Sequence, residues 1–81
     1  MTKTQKLIAV LSDGRSKTIK DLERRTGLSS VSARVSELWA NGYPIVGFYR
    51  NETYRYKMIE PSKNMKAQGF KTLADVQKEV A

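Results

Sequence analysis

The chain has 81 residues, with 15 Lys and Arg against 8 Asp and Glu, a formal charge of +7, and neither cysteine nor histidine. Without thiols or imidazoles there are no disulfides, no thiolate metal sites, no histidine-based triads and none of the commonest metal ligand, so no enzyme activity, cofactor or metal is expected. A cationic surplus this large on one small domain favours a polyanionic partner over a charge that merely resists aggregation.

No apolar run approaches the roughly 20 residues of a membrane span. The apolar stretch 7–11 behind the basic start is too short for a secretory signal. A cytoplasmic protein with no membrane partner is expected.

Thr4 is placed to cap a first helix running to about Leu11, with Leu7, Ile8 and Leu11 as its apolar stripe and Val10 alongside. Ser12-Asp13-Gly14-Arg15-Ser16 reads as a loop. Thr18-Ile19-Lys20-Asp21 is a capping-box pattern with Asp in place of Glu, and it opens a second helix over about 19–26. Ile19 and Leu22 face inward there, and Arg24 and Arg25 face out. Gly27 suits the left-handed position that closes a helix.

Leu28 is expected as a buried plug in the turn. Ser29 or Ser30 then caps a third helix ending near Asn41-Gly42. Val31, Val35 and Leu38 share one face of it. Ser29, Ser30, Ala33 and Ser36, all small, lie opposite. A helix with small outward side chains can lie close against another surface, and in a basic protein that surface is expected to be a DNA groove.

Tyr43-Pro44 forces an extended approach to the next segment. Over 45–59 the apolar period changes to two, giving strands at 45–50 and 54–59 around a tip of Asn51-Glu52-Thr53. Tyr54, Tyr56 and Met58 form an aromatic face that packs on the helices. Arg55, Lys57 and Ile59 form a largely basic face free to meet a partner. Residues 62–69 read as a polar linker. Thr72-Leu73-Ala74-Asp75 opens a short helix to about Val80, with Leu73, Val76 and Val80 as a narrow stripe and Phe70 just before it.

The expected fold class is therefore α+β. Helix, helix, turn, helix, hairpin is the plan of a winged helix-turn-helix domain, with three helices and a two-stranded hairpin wing over 1–60. A linker and short C-terminal helix occupy 61–81. The chain also resembles the small winged helix-turn-helix proteins frequent in bacteriophages and prophages. The residues carrying the resemblance are Thr4-Gln5, Leu22, Gly27-Leu28-Ser29, Arg34-Val35-Ser36-Glu37-Leu38 and Gly42-Tyr43-Pro44-Ile45, within about residues 4–60. Only Leu28, Ser29 and Ser30 separate Gly27 from Val31, a shorter turn than many such motifs carry. Glu23 stands where alanine is common, which implies looser packing between the second and third helices. The resemblance implies a DNA-binding regulator of transcription or recombination in the cytoplasm of a bacterial host, with the third helix (30–41) in the major groove and the hairpin (45–59) as wing.

Candidate contacts follow from position and chemistry. Ser29, Ser30 and Ser32 offer short hydroxyls near the N-terminus of the third helix, where free N–H groups also favour phosphate. Arg34 is its only long cation, suited to a guanine edge or a phosphate. The alternative for Arg34 is an i, i+3 pair with Glu37. Ala33 offers a methyl to thymine, or is a neutral surface residue. Glu37 repels phosphate and is placed to accept from cytosine or to point away.

The wing supplies Arg50, Asn51, Arg55 and Lys57, either to follow the backbone or to insert the tip into the minor groove. The alternative is a charged edge strand. Lys17, Lys20, Arg24 and Arg25 are phosphate candidates from the second helix and its approach. Five neutralised phosphates would give a slope of log K against log salt of about −4 to −5. The hairpin tyrosines read as core packing more than as single-strand stacking platforms. Trp39 is expected as a partly buried anchor between helix and wing.

The expected partner is double-stranded DNA. Residues 70–80 either fold back on their own domain or pair with another copy as a homodimer. A competing reading is an adaptor that docks on a host protein and inhibits or redirects it.

Overall fold

The computed structural model describes residues 2–81. Five helices and a three-stranded antiparallel sheet follow one another as α1 (Lys3–Leu11), β1 (Lys17–Thr18), α2 (Ile19–Thr26), α3 (Val31–Ala40), β2 (Ile45–Arg50), β3 (Thr53–Met58), α4 (Lys63–Ala67) and α5 (Leu73–Val80). The α+β class is as expected, and several boundaries differ from the sequence reading.

Thr2, not Thr4, caps α1. Its hydroxyl accepts from the Gln5 N–H at 3.1 Å, and Gln5 Oε1 accepts from the Thr2 N–H at 2.8 Å. A reciprocal box needs Glu or Gln three residues on; Thr2 has Gln5 there, whereas Thr4 has Leu7. Leu7, Ile8 and Leu11 are buried as predicted.

Thr18 caps α2 by accepting from the Asp21 N–H at 3.1 Å. The Asp21 carboxylate does not close the box. It turns outward to Arg24 and Arg25, so only half the motif forms. Gly27 stands at φ 77°, and its N–H donates to Glu23 O at 2.8 Å, ending the helix in the left-handed conformation that costs glycine least.

The hairpin gains a third strand. β1 pairs with β3, β3 pairs with β2, and the order is β1-β3-β2. Two residues are too few to show an alternating pattern, so β1 left no mark in the sequence. The second hairpin strand starts at Thr53, because Asn51 and Glu52 alone form the turn, at φ 51° and 64°. Two consecutive positive φ values are the mark of the tight turn whose twist matches the flanking strands.

Residues 62–69 are not a plain linker. Ser62 accepts from the Met65 N–H at 3.3 Å and starts α4, a polar surface helix with no buried residue and hence no apolar period to read. Helix α5 folds back on the domain. Val76 is fully buried in the same cluster as Leu7, Leu11, Leu22 and Met58, with Leu73 and Val80 packed against it. The narrow stripe of 70–80 is thus covered by its own chain.

A polar clasp fastens that helix. The Tyr43 hydroxyl donates to Glu79 Oε1 at 2.7 Å, and Lys71 Nζ donates to Tyr43 Oη at 3.0 Å and to Glu79 Oε2 at 2.8 Å. Lys71 also sits 4.1 Å from the centroid of the Tyr43 ring.

Candidate nucleic-acid interface

Helix α3 is anchored by Val31, Val35 and Leu38, all buried. That burial fixes what remains outside. Ser29, Ser30, Ser32, Ala33, Ser36 and Glu37 are exposed and Arg34 is half-buried. Apart from Arg34 and Glu37, which pair with each other, side chains on this face are short, so a partner surface can approach the helix backbone closely.

Ser30 occupies the N-cap position, but its hydroxyl makes no capping bond. Its backbone, at φ −133° and ψ 67°, lies outside the extended region that capping favours. By contrast Thr2, Thr18, Ser62 and Thr72 each accept from a first-turn N–H of their own helices. The start of α3 therefore keeps first-turn N–H groups with no side-chain acceptor, and such groups favour an anionic oxygen.

Ser32 does not stand alone. Its Oγ accepts the Tyr56 hydroxyl at 3.0 Å. A serine oxygen that accepts one bond keeps its own proton to donate, so Ser32 is oriented as a donor.

Arg34 and Glu37 pair at 3.1 Å. These are the only charged side chains of α3, so the helix carries no net side-chain charge. Lys20 is exposed and shares a depression of about 410 Å3 with Tyr54 and Glu52. Arg24 is exposed and bound to Asp21, and Arg25 lies 3.4 Å from the same carboxylate. The Arg24 hydrogen bond, acting against a small burial effect and helped by the charge of Arg25, holds the Asp21 carboxyl below its usual range.

Lys17 is not a surface cation. It lies opposite Tyr56 on the core side of the sheet and is 7% exposed. Its Nζ donates to both Asp13 oxygens, at 2.7 and 2.9 Å, and to Arg15 O at 3.3 Å. Burial works to raise the Asp13 carboxyl, but the Lys17 and Arg15 N–H donors outweigh it and leave it lowered.

Register decides how the hairpin is presented. Val46 faces Lys57, Phe48 faces Arg55 and Arg50 faces Thr53, so these residues share the outer face. Ile45, Gly47 and Tyr49 face Met58, Tyr56 and Tyr54 on the inner face, toward the helices. Arg55, expected to be free, donates to Ser16 Oγ at 3.0 Å and Ser16 O at 3.1 Å. Lys57 rests 5.5 Å from the centroid of Phe48. Arg50, Asn51 and Arg55 line one shallow depression of about 390 Å3 with Thr18 and Thr53. The structure therefore gathers the serines, Ala33, Arg34 and Glu37 on one surface, and Arg50, Asn51 and Arg55 on another. The basic side of the hairpin faces away from the helices.

Two further side chains belong to this region: Lys3, which the sequence does not single out, and Tyr49, which is expected in the core with the other hairpin tyrosines but lies outside it. Lys3 lays its stem along the turn, with Cε 3.5 Å from where a Cβ on Gly27 would stand. Nothing in the sequence links residues 3 and 27. Tyr49 is 75% exposed and stacks edge-on against Tyr54, with centroids 4.9 Å apart. Its position beside the hairpin tip was the available signal.

Trp39 does not bridge α3 and the hairpin. It is 42% exposed and packs on Phe70, at 4.6 Å between centroids, over a cleft of about 420 Å3. Leu28 is only partly buried against the core.

Among the described residues no helix is long and apolar enough to cross a membrane, and no three His, Cys, Asp or Glu are grouped so as to hold a metal ion. No known protein family, curated protein or solved structure matches this chain.

Proposed function

We propose that this protein is a winged helix-turn-helix module that binds double-stranded DNA selectively, with α3 in the major groove and the β2–β3 hairpin as wing. A role as a small regulator of transcription or recombination belongs to the same reading. The observation that carries it is the outward face of α3. It holds small side chains and the Ser32 hydroxyl held by Tyr56, begins with uncapped N–H groups, and follows a tight glycine-closed turn from α2.

The charge pattern supports selectivity. Arg34 and Glu37 neutralise each other on α3, so non-specific attraction falls to cations beyond it, chiefly Lys3, Lys20 and, at the tip of the hairpin, Arg50. With Lys17 buried and Arg55 engaged by Ser16, about three to four phosphates are neutralised. The slope of log K against log salt is then about −3 to −4, shallower than the sequence alone suggested.

The test is selection of bound duplexes from a random pool, followed by a gel shift at moderate salt. A shared consensus bound more tightly than the pool supports the reading, as does a loss of discrimination of about 1–3 kcal/mol on Arg34→Ala. Failure of the protein to retard any duplex refutes it.

One observation favours a second reading, docking on another protein: Trp39, exposed and packed on the half-buried Phe70, lies on the flank of α3 and not on its small face. Capture of a partner that survives high salt, without nucleic acid, and is lost on Trp39→Ala would favour this alternative.

A further inference from the structure

On the inner side of the hairpin a chain of three tyrosines leads out from α3. Tyr56, whose hydroxyl is held by Ser32 in the first turn of α3, meets Tyr54 edge-on, with centroids 5.2 Å apart and ring planes at 83°. Tyr54 meets Tyr49 in the same manner, at 4.9 Å and 73°. The outermost ring is the most exposed large apolar side chain among the described residues.

Gly47 makes the arrangement possible. Its position opposite Tyr56 leaves an open floor, and the Tyr54 ring lies across it. A Cβ on Gly47 would stand 2.6 Å from Tyr54 Cζ. Tyr49 stands exposed at the end of the chain with one edge against the Tyr54 ring. An aromatic ring, with only two side-chain torsions and one of its edges already against a neighbour, loses less conformational freedom on meeting a partner than a long flexible side chain does.

A duplex seated on the small face of α3 approaches the side of the hairpin that continues from Ser32. That side carries tyrosines. Arg50, Arg55 and Lys57 lie on the reverse, Arg50 at the very end of β2 beside the turn. From this juxtaposition, and resting on the duplex reading above, we infer that Tyr49 is a DNA-contacting residue. Its ring packs on the sugars or base edges of the groove flanking the one that α3 occupies, and the wing's contribution to affinity is aromatic more than ionic. The ring is amphipathic, apolar on its faces and edge with a hydroxyl at its tip, and Arg50 and Asn51 follow it directly in the chain. A groove wall of deoxyribose with phosphates at its rim matches that order of groups.

An ionic contact releases counterions and contributes to the salt slope, whereas an aromatic contact does not. This difference separates the inference from a merely basic wing. The experiment compares Tyr49→Ala, Tyr49→Phe, Arg50→Ala and Arg55→Ala in the full chain. Fluorescence anisotropy is read across a salt series, on a labelled mixed-sequence duplex and on the duplex selected from it.

Tyr49→Ala is expected to weaken binding to the selected duplex about tenfold, the scale of one stacked ring, with the salt slope unchanged. Tyr49→Phe retains most of the affinity. Arg50→Ala makes the slope shallower by about 1, and Arg55→Ala changes little. Because Tyr49 is so exposed, its variants fold, and an unchanged urea midpoint verifies this. Wild-type affinity in Tyr49→Ala overturns the inference while leaving the duplex reading intact, as does a tighter hold on single-stranded than on duplex DNA that depends on Tyr49. Absence of duplex binding by the unaltered protein refutes the duplex reading, and this inference falls with it.

Discussion

Tyr56 donates its hydroxyl to Ser32 Oγ at 3.0 Å, tying the central strand of the sheet to the first turn of α3. Tyr56 is buried and Ser32 is exposed, so the bond spans the rim between core and candidate interface. Tyr56→Phe keeps the ring and removes only this bond. A single net hydrogen bond contributes about 0.5–1.5 kcal/mol, and urea unfolding is expected to show a loss in that range. Because the serine also loses its orienting partner, binding to the selected duplex is expected to weaken beyond the change seen on the mixed pool.

The tip of the hairpin is a second point of leverage. Glu52 stands at φ 64°, a left-handed conformation that an L side chain adopts only at a cost. Asn51 before it, at φ 51°, is among the residue types that tolerate this region. Glu52→Gly creates the Asn-Gly pair that this turn favours most. Stability is expected to rise by about 1 kcal/mol, read as an increased urea midpoint. A fall in the midpoint would show that Glu52 makes a stabilising contact that outweighs its backbone strain.

How far these features were legible in the sequence depends on how local they are. Thr18, Gly27 and Thr72 act on their own helix ends, and their roles were readable from a few neighbouring residues. The stripe Val31, Val35 and Leu38 was equally plain, since a period of 3.6 is written along one segment. What escaped was set by distant partners. The two residues of β1 form a strand only because β3 lies beside them. Lys17 looks like any surface lysine until its place opposite Tyr56 puts it on the core side. Alternation along 54–59 did separate the tyrosines from Arg55 and Lys57. It also puts the tyrosines against the helices, as the structure does, but it does not show the bond that ties Tyr56 to Ser32, because those residues lie 24 positions apart.

The clasp on α5 predicts a pH dependence. The Lys71 hydrogen bond, reinforced by the Tyr43 hydroxyl, holds the Glu79 carboxyl below its ordinary value of 4.5. A carboxyl lowered on folding stabilises the folded state above its unfolded value and ceases to do so as pH falls through the folded one. The docking of α5 is thus expected to weaken below pH 4.5. Lys71 has the opposite sign. Its pKa is raised above 10.5, chiefly by Glu79, so its contribution persists below that pH and is lost as pH rises through the higher folded value. Both side chains are partly exposed, and screening keeps the pair below about 1 kcal/mol. Urea midpoints measured at neutral pH and at pH near 3.5 should therefore converge in Glu79→Gln relative to the parent. An identical acid response in both proteins would show that the clasp does not govern it.

Glu37 offers the sharpest test of how α3 treats a duplex. It lies on the exposed side of the helix and pairs with Arg34 at 3.1 Å. An acid placed there opposes phosphate and holds the only cation of α3 in check. Glu37→Gln removes both effects and keeps the shape of the side chain. The i, i+3 pair itself contributes little, about 0.2–0.5 kcal/mol, so stability should hardly change. Binding changes more. With Arg34 released, one more phosphate is neutralised, and the slope of log K against log salt steepens by about 0.9. Affinity for a mixed-sequence pool rises in low salt, while affinity for the selected duplex rises less or falls. Selectivity, the ratio of the two, contracts. Double substitution with Arg34→Ala returns the slope to its original value, because the freed cation is gone. If Glu37→Gln instead leaves both the slope and the ratio unchanged, the ion pair on α3 has no part in discrimination, and selectivity must come from the serine hydroxyls and the wing.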